Sequence, residues 1–156
     1  MSAENSDAVP AFVVLQIGTR RIALPRAGVA ELIASSAVYK FPHTTRLITG
    51  VVLRRNRILP VLDLGPNVLG VSSPDTRFFL VVERNIFEPP EKCAIPVQGA
   101  CELVSGIMLP EADPSGFVIG YLDLNGEQIE IVDLERAIAS NTINMGGHMP
   151  ATEALS

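Results

Sequence analysis

The sequence predicts a mostly β fold built from two small barrels packed together, and three observations carry that reading. The stretch Gly50–Leu64, GVVLRRNRILPVLDL, returns as Gly120–Leu134, GYLDLNGEQIEIVDL, with Arg55-Asn56 and Asn125-Gly126 at equivalent turn positions. A second pair, Ile22–Ile33 and Cys93–Val104, aligns without a gap and matches at Pro25/Pro96, Gly28/Gly99, Glu31/Glu102 and Leu32/Leu103. Composition is the third: 47% hydrophobic residues without tryptophan suit a Val/Ile/Leu core, and twelve prolines with twelve glycines suit many turns. Two copies are too few for a solenoid, which needs at least about three. A lone unit of roughly 60 residues buries too little surface to be more than marginal, so the copies are expected to share a core.

Taken in order, residues 1–10 are polar and acidic and read as a tail, without the basic and apolar regions of a signal peptide. Phe12–Ile17 is an apolar run that suits a buried strand, and Gly18-Thr19 turns it into a second strand, Arg21–Pro25. Ala27–Ile33 fits one helical turn or a bent extended piece leading into a strand near Leu32–Tyr39. Phe41–Thr49 opens with a proline bend and enters the first hairpin, whose arms are Val51–Arg54 and Arg57–Leu62. Asn tolerates positive φ, so Arg55-Asn56 is an acceptable tight turn, and Asn125-Gly126 is the strongest short hairpin signal. Asp63 stands where a helix N-cap belongs. Val71–Asp75 is a polar break between copies, and Phe78–Glu83 is the counterpart of Phe12–Ile17. Asn85–Lys92 reads as a loop, Ala94–Val104 as strand, and Pro110–Gly116 as an exposed loop. Asp133–Ser140 is the best helix, capped by Asp133, with Glu135 in its first turn where the helix dipole favours a carboxylate. Residues 141–156 lack periodicity and read as a second tail. One domain over 11–140 results, with a first barrel over about 20–75 and a second over about 76–140; Phe12–Ile17 completes either.

A net charge of −5 argues against a nucleic-acid binder, which would show a basic face. The one local basic excess is Arg54, Arg55 and Arg57, either a solvated hairpin tip or a partner contact. No apolar run is long enough to cross a membrane, so direct insertion is not expected. Two cysteines, Cys93 and Cys101, give neither a disulfide framework nor a metal signature, and a reducing cytoplasmic setting follows. His43 and His148 have no ligand spacing to other donors, so neither metal nor cofactor is expected. A Cys–His nucleophile pair formed by Cys93 or Cys101 with His43 is disfavoured, because both thiols lie in apolar strand patterns. Neither a nucleophile elbow nor a phosphate loop is present. Asp63 and Asp133 repeat as an acid pair might, but capping worth about 0.5–2 kcal/mol explains both. Glu31 and Glu102 also repeat; only Glu31 has an arginine-rich hairpin in its own copy.

These segments together resemble the CheW family of chemotaxis coupling proteins. That family shows an N-terminal strand, an A-L-P and V-x-E-I/L segment, and a proline ahead of a G-V-I-N-L-R-G hairpin. The hairpin runs into P-V-x-D-L, and the second half ends in a D-x-x-x-L helix. The corresponding residues here are Phe12–Ile17, Ala23-Leu24-Pro25, Val29-Ala30-Glu31-Leu32, Pro42, Gly50–Asn56 and Pro60–Leu64, within about residues 11–140. Leu53 and Asn56 depart from the family's Asn and Gly. The resemblance implies two intertwined five-stranded SH3-like barrels and a non-enzymatic adaptor. Its partners would be the regulatory domain of a CheA-type histidine kinase and the cytoplasmic tip of a methyl-accepting chemoreceptor, with contacts between CheW-like copies also allowed. The candidate partner-binding residues are Val29, Glu31, Leu32, Gly50, Val51, Arg54, Arg55, Asn56 and Arg57; Val29, Glu31 and Arg55 match positions tied to receptor coupling. An ion pair between Glu31 and Arg55 is expected to orient the hairpin tip. The competing reading is a barrel module that binds a peptide or small ligand between its halves, outside chemosensory signalling.

Overall fold

The computed structural model describes residues 9–40, 47–72, 76–84, 91–111 and 116–140. The expected tails, the histidines, Pro42 and Pro89-Pro90 lie outside this set, apart from Val9 and Pro10. Among the described residues eleven strands follow one another: β1 (Ala11–Ile17), β2 (Arg20–Pro25), β3 (Val29–Ala34), β4 (Ile48–Arg54), β5 (Arg57–Leu62), β6 (Phe78–Arg84), β7 (Glu91–Val97), β8 (Glu102–Ser105), β9 (Leu109–Pro110), β10 (Val118–Leu124) and β11 (Glu127–Val132). A short helix, α1, covers residues 134–140.

Strands without polar alternation are buried on both faces. In β1, Val13, Leu15 and Ile17 face a core between the two sheets, while Phe12 and Val14 face a second core inside their own sheet. In β6, Leu80 and Val82 face the shared core and Phe79 and Val81 a third core. The hairpin strands line the individual cores with Val52 and Leu59, or with Leu122 and Ile129, and their outer faces differ: Asp123 and Gln128 on the second hairpin, the exposed Leu53 and Ile58 on the first.

One sheet has the order β8-β1-β2-β11-β10-β9 and the other β3-β6-β7-β5-β4. The expected division of strands at about residue 75 therefore needs correction. β1 and β2 belong with the second hairpin, and β6 and β7 with the first, so residues 29–97 form one unit inserted between β2 and β8 of the other. The junctions are equivalent: β11 runs parallel to β2 with Ile131 opposite Ala23, and β5 runs parallel to β7 with Val61 opposite Ala94. The reason is physical. Both copies have the same alternation, so either hairpin suits either inner pair, and local pattern is silent on which copy is chosen.

Each sheet curls round its own core. In the five-stranded sheet, Ile33 of one edge strand and Val52 of the other share one cluster. In the six-stranded sheet, Val104 of β8 and Ile119 and Leu124 of β10 pack against the same cluster. The sixth strand, β9, pairs Leu109 with Tyr121; in the other sheet the same place holds a single bridge, Tyr39 to Val51. Close approach of this crossing segment explains two glycines. A Cβ on Gly50 would lie 2.7 Å from Val38 Cγ1 and 2.8 Å from the Tyr39 carbonyl oxygen, and one on Gly120 would lie 2.7 Å from the Leu109 carbonyl oxygen.

Several boundaries differ from expectation. A 3-10 turn, Arg26–Gly28, precedes β3, which ends at Ala34 rather than reaching Tyr39. Ala94–Val104 divides into β7 and β8, and β7 starts at Glu91 inside the expected loop. Asp133 Oδ1 accepts the Arg136 amide at 3.1 Å as the N-cap of α1. The N-cap expected of Asp63 is corrected: the helical turn Gly65–Leu69 is capped at Leu64 without a side-chain bond, and Asp63 Oδ1 instead accepts the Gly65 amide two residues on, at 3.1 Å. Among the described residues no helix is long and apolar enough to cross a membrane.

Candidate partner-docking site

The tip of the β4–β5 hairpin is a two-residue turn in which Arg55 and Asn56 take φ values of 52° and 64°. Such left-handed pairs match the right-handed twist of the strands, which is why the turn closes without a glycine. Arg54 faces Arg57 across the last rung, preceded by Leu53 facing Ile58. Successive residues of a strand point to opposite faces. Arg54 follows Val52 on the core-facing side, as Glu31 precedes Ile33 on β3.

Arg54 Nη2 consequently donates to Glu31 Oε1 at 2.9 Å, with Nε to Oε2 at 3.4 Å, joining the two edge strands of the curled sheet. The expected Glu31–Arg55 pair is corrected to Glu31–Arg54: Arg55 sits in the turn itself, off the core-facing side, and is exposed with no ion pair to a described residue. The Arg54 hydrogen bond holds the Glu31 carboxyl below its usual range, with the charges of Arg54, Arg55 and Lys92 adding to it and partial burial opposing. The Arg54 guanidinium is correspondingly raised, chiefly by the same bond.

The other candidates separate into surface and support. Asn56 and Arg57 are exposed beside Arg55, and Leu32 is exposed on β3. Gly50 and Val51 are buried beside the Val38–Tyr39 crossing, where Gly50 lets the hairpin pack close and Val51 lines a cavity at the β5–β7 junction. Val29 lines an apolar groove of about 340 Å³ between the two sheets, with Leu24, Pro25, Val82, Ile119 and Leu134. Sequence reasoning missed a clamp on Glu135, which also lines this groove. Arg84 grips Glu135 of α1 through two 3.0 Å bonds and Glu91 through one of 3.4 Å, with its side chain only 14% exposed. It also missed the exposed pair Leu53 and Ile58; the departure of Leu53 from the resembled pattern was the available signal.

Burial pushes the Cys93 and Cys101 thiols up to about 11, so both are protonated at neutral pH. No group of three metal-ligating side chains occurs among the described residues.

The family model described as "CheW-like domain" matches residues 11–141. The chain belongs to the CheW-like domain family. Among solved structures, the scaffolding protein TtCheW from Thermoanaerobacter tengcongensis is similar in fold, with a TM-score of 0.68 at 22% identity over 81% of this chain and 86% of that one. A search of curated proteins finds no match. The mostly β architecture of two sheet subdomains is thus that of CheW-like domains.

Proposed function

We propose that this CheW-like protein is a non-enzymatic, cytoplasmic adaptor. It would join methyl-accepting chemoreceptor tips to the regulatory domain of a CheA-type histidine kinase, in chemotactic or pilus-type motility signalling. The observation that carries this reading is the first hairpin. Its tip is anchored from behind by the Glu31–Arg54 pair, while Arg55 and Arg57 stand exposed without an ion-pair partner among the described residues. A guanidinium fork held on a rigid turn suits a demanding bidentate contact with a carboxylate. The pair itself is partly exposed and adds little stability, so orientation is its better use.

A second reading is favoured by the groove between the sheets, whose apolar lining suits a peptide. Titration against a kinase regulatory domain and a receptor-tip fragment separates the two. The adaptor reading expects saturable binding to at least one of them at tens of micromolar, lost on Arg55→Ala without a change in Tm. Absence of binding to both at that concentration would overturn it in favour of the peptide module.

A further inference from the structure

The internal repeat makes each half a control for the other. The hairpins correspond at an offset of 70 residues and the inner strands at 71, as the matched rungs Ile131–Ala23 and Val61–Ala94 require. Near the open end of the six-stranded unit, Arg21 of β2 bonds Glu127 of β11 at 2.5 Å and reaches Glu102 of β8 at 3.4 Å. The corresponding residues of the five-stranded unit are Lys92 for Arg21, Arg57 for Glu127 and Glu31 for Glu102. An acid has become a base. Where one half places a single cation between two carboxylates, the other sets Lys92 and Arg57 at the same junction.

Both cations line one cavity of about 240 Å³, walled by Val51, Ile58, Pro60 and Glu91. The neighbouring carboxylates are committed elsewhere or make no ion pair. Glu31 is taken by Arg54, Glu91 by Arg84, and Glu83, opposite Lys92 in the ladder, forms no ion pair with it. Arg57 moreover faces Arg54 across the last rung of the hairpin, and like charges opposite one another cost stability, so the arrangement is unfavourable in the isolated chain. Beside the cavity, Leu53 and Ile58 form an exposed cross-strand pair, 56% and 63% accessible, where the other half has Asp123 and Gln128.

We propose that the cavity between Arg57 and Lys92 receives a carboxylate side chain from a partner protein, with Leu53 and Ile58 covering apolar residues beside it. The carboxylate completes between molecules the ion pair that Arg21 and Glu127 make within one. The apolar pair argues for a protein segment rather than a free anion. A second copy of this chain is the weaker candidate, because its equivalent carboxylates, Glu102, Glu127 and Glu130, are already held by Arg21 and Arg20. The inference rests on the adaptor reading and gives the partner's contact its chemistry: acidic, flanked by apolar residues.

Arg57→Glu is the decisive variant, since it rebuilds the internal pair with Lys92. The expected result is an unchanged or higher Tm together with at least about tenfold weaker binding to the kinase domain or to the receptor tip. Lys92→Gln should weaken the same partner, and the salt dependence of wild-type binding should flatten in both variants. Folded variants that bind both proteins as wild type does would overturn the inference and leave the adaptor reading standing. Loss of self-association in sedimentation, with both heterologous affinities intact, would assign the cavity to a second copy and overturn it as well. Failure of the wild-type chain to bind either protein removes the adaptor reading, and the inference with it.

Discussion

Arg55 is held where an arginine is poorly suited to stand. At φ 52° it occupies the left-handed region, which costs an ordinary L-residue roughly 1–2 kcal/mol and costs Asn less because of its local hydrogen bonding. The second hairpin uses Asn125 at φ 53° in the same place. Replacing Arg55 by Asn therefore removes strain at the cost of only a screened, longer-range attraction to Glu31, and should add about 0.5–1 kcal/mol. For a chain of this size that is a rise in Tm of about 1–4 °C, readable by calorimetry or circular dichroism. Docking should move the other way. A lost charge-assisted contact, about 1.5–3 kcal/mol, weakens binding tenfold or more. A variant that is more stable and binds less well shows that the tip gives up stability for recognition. A fall in Tm would refute the reasoning, because it would mean that Arg55 makes a stabilising contact within the fold.

Three further outcomes follow from single features. Gly50→Ala forces a methyl against Val38 and the Tyr39 carbonyl, and overpacking of this kind costs about 1–3 kcal/mol; an unchanged urea midpoint would show that the crossing segment yields freely. The Glu31 carboxyl is depressed by Arg54, so its stabilising effect is complete above the ordinary value of 4.5 and is lost as pH falls through the lower folded value. The stability difference between wild type and Glu31→Gln, measured across pH, should shrink toward zero in acid; a difference that grows there would contradict the pair. Cys93 and Cys101, with thiols raised to about 11, should resist a thiol reagent at about pH 8 until the chain is denatured, and rapid labelling of the folded protein would contradict their protection.

Much of this architecture was legible in the chain. The duplicated hairpins, the apolar runs of β1 and β6, and the capping role of Asp133 are local matters of turn chemistry and alternation, and local rules reach them. Partner choice between strands is not local. The exchange of β2 and β7 between the two hairpins left no trace, because Ala23 and Ala94 present the same small side chain to Ile131 and Val61. The Glu31 partner failed for a related reason. The family position pointed to Arg55, whereas the period of two assigns the core-facing side to Arg54, and the turn takes Arg55 off the ladder. The Arg84–Glu135 clamp joins residues 51 apart whose meeting depends on where α1 lands, which no spacing encodes.

The repeat also separates what folding requires from what it merely tolerates. Positions that serve the backbone are alike in both halves: the bulges before Gly50 and Gly120, the aspartates Asp63 and Asp133 that each accept a following amide, the parallel rungs. At the open ends the cation of the inner strand and the acid of the edge strand are kept, Arg21/Lys92 and Glu102/Glu31, while one charge is inverted, Arg57 standing where the other half has Glu127. Stability alone would favour at residue 57 the carboxylate that stands at 127, since the acid there gains an arginine partner, whereas Arg57 has Lys92 at the same junction. Nor would it expose Leu53 and Ile58 where the other half presents Asp123 and Gln128. Departures that raise the energy of the isolated chain, and cluster on one hairpin of two, are accounted for by what that hairpin meets outside the molecule.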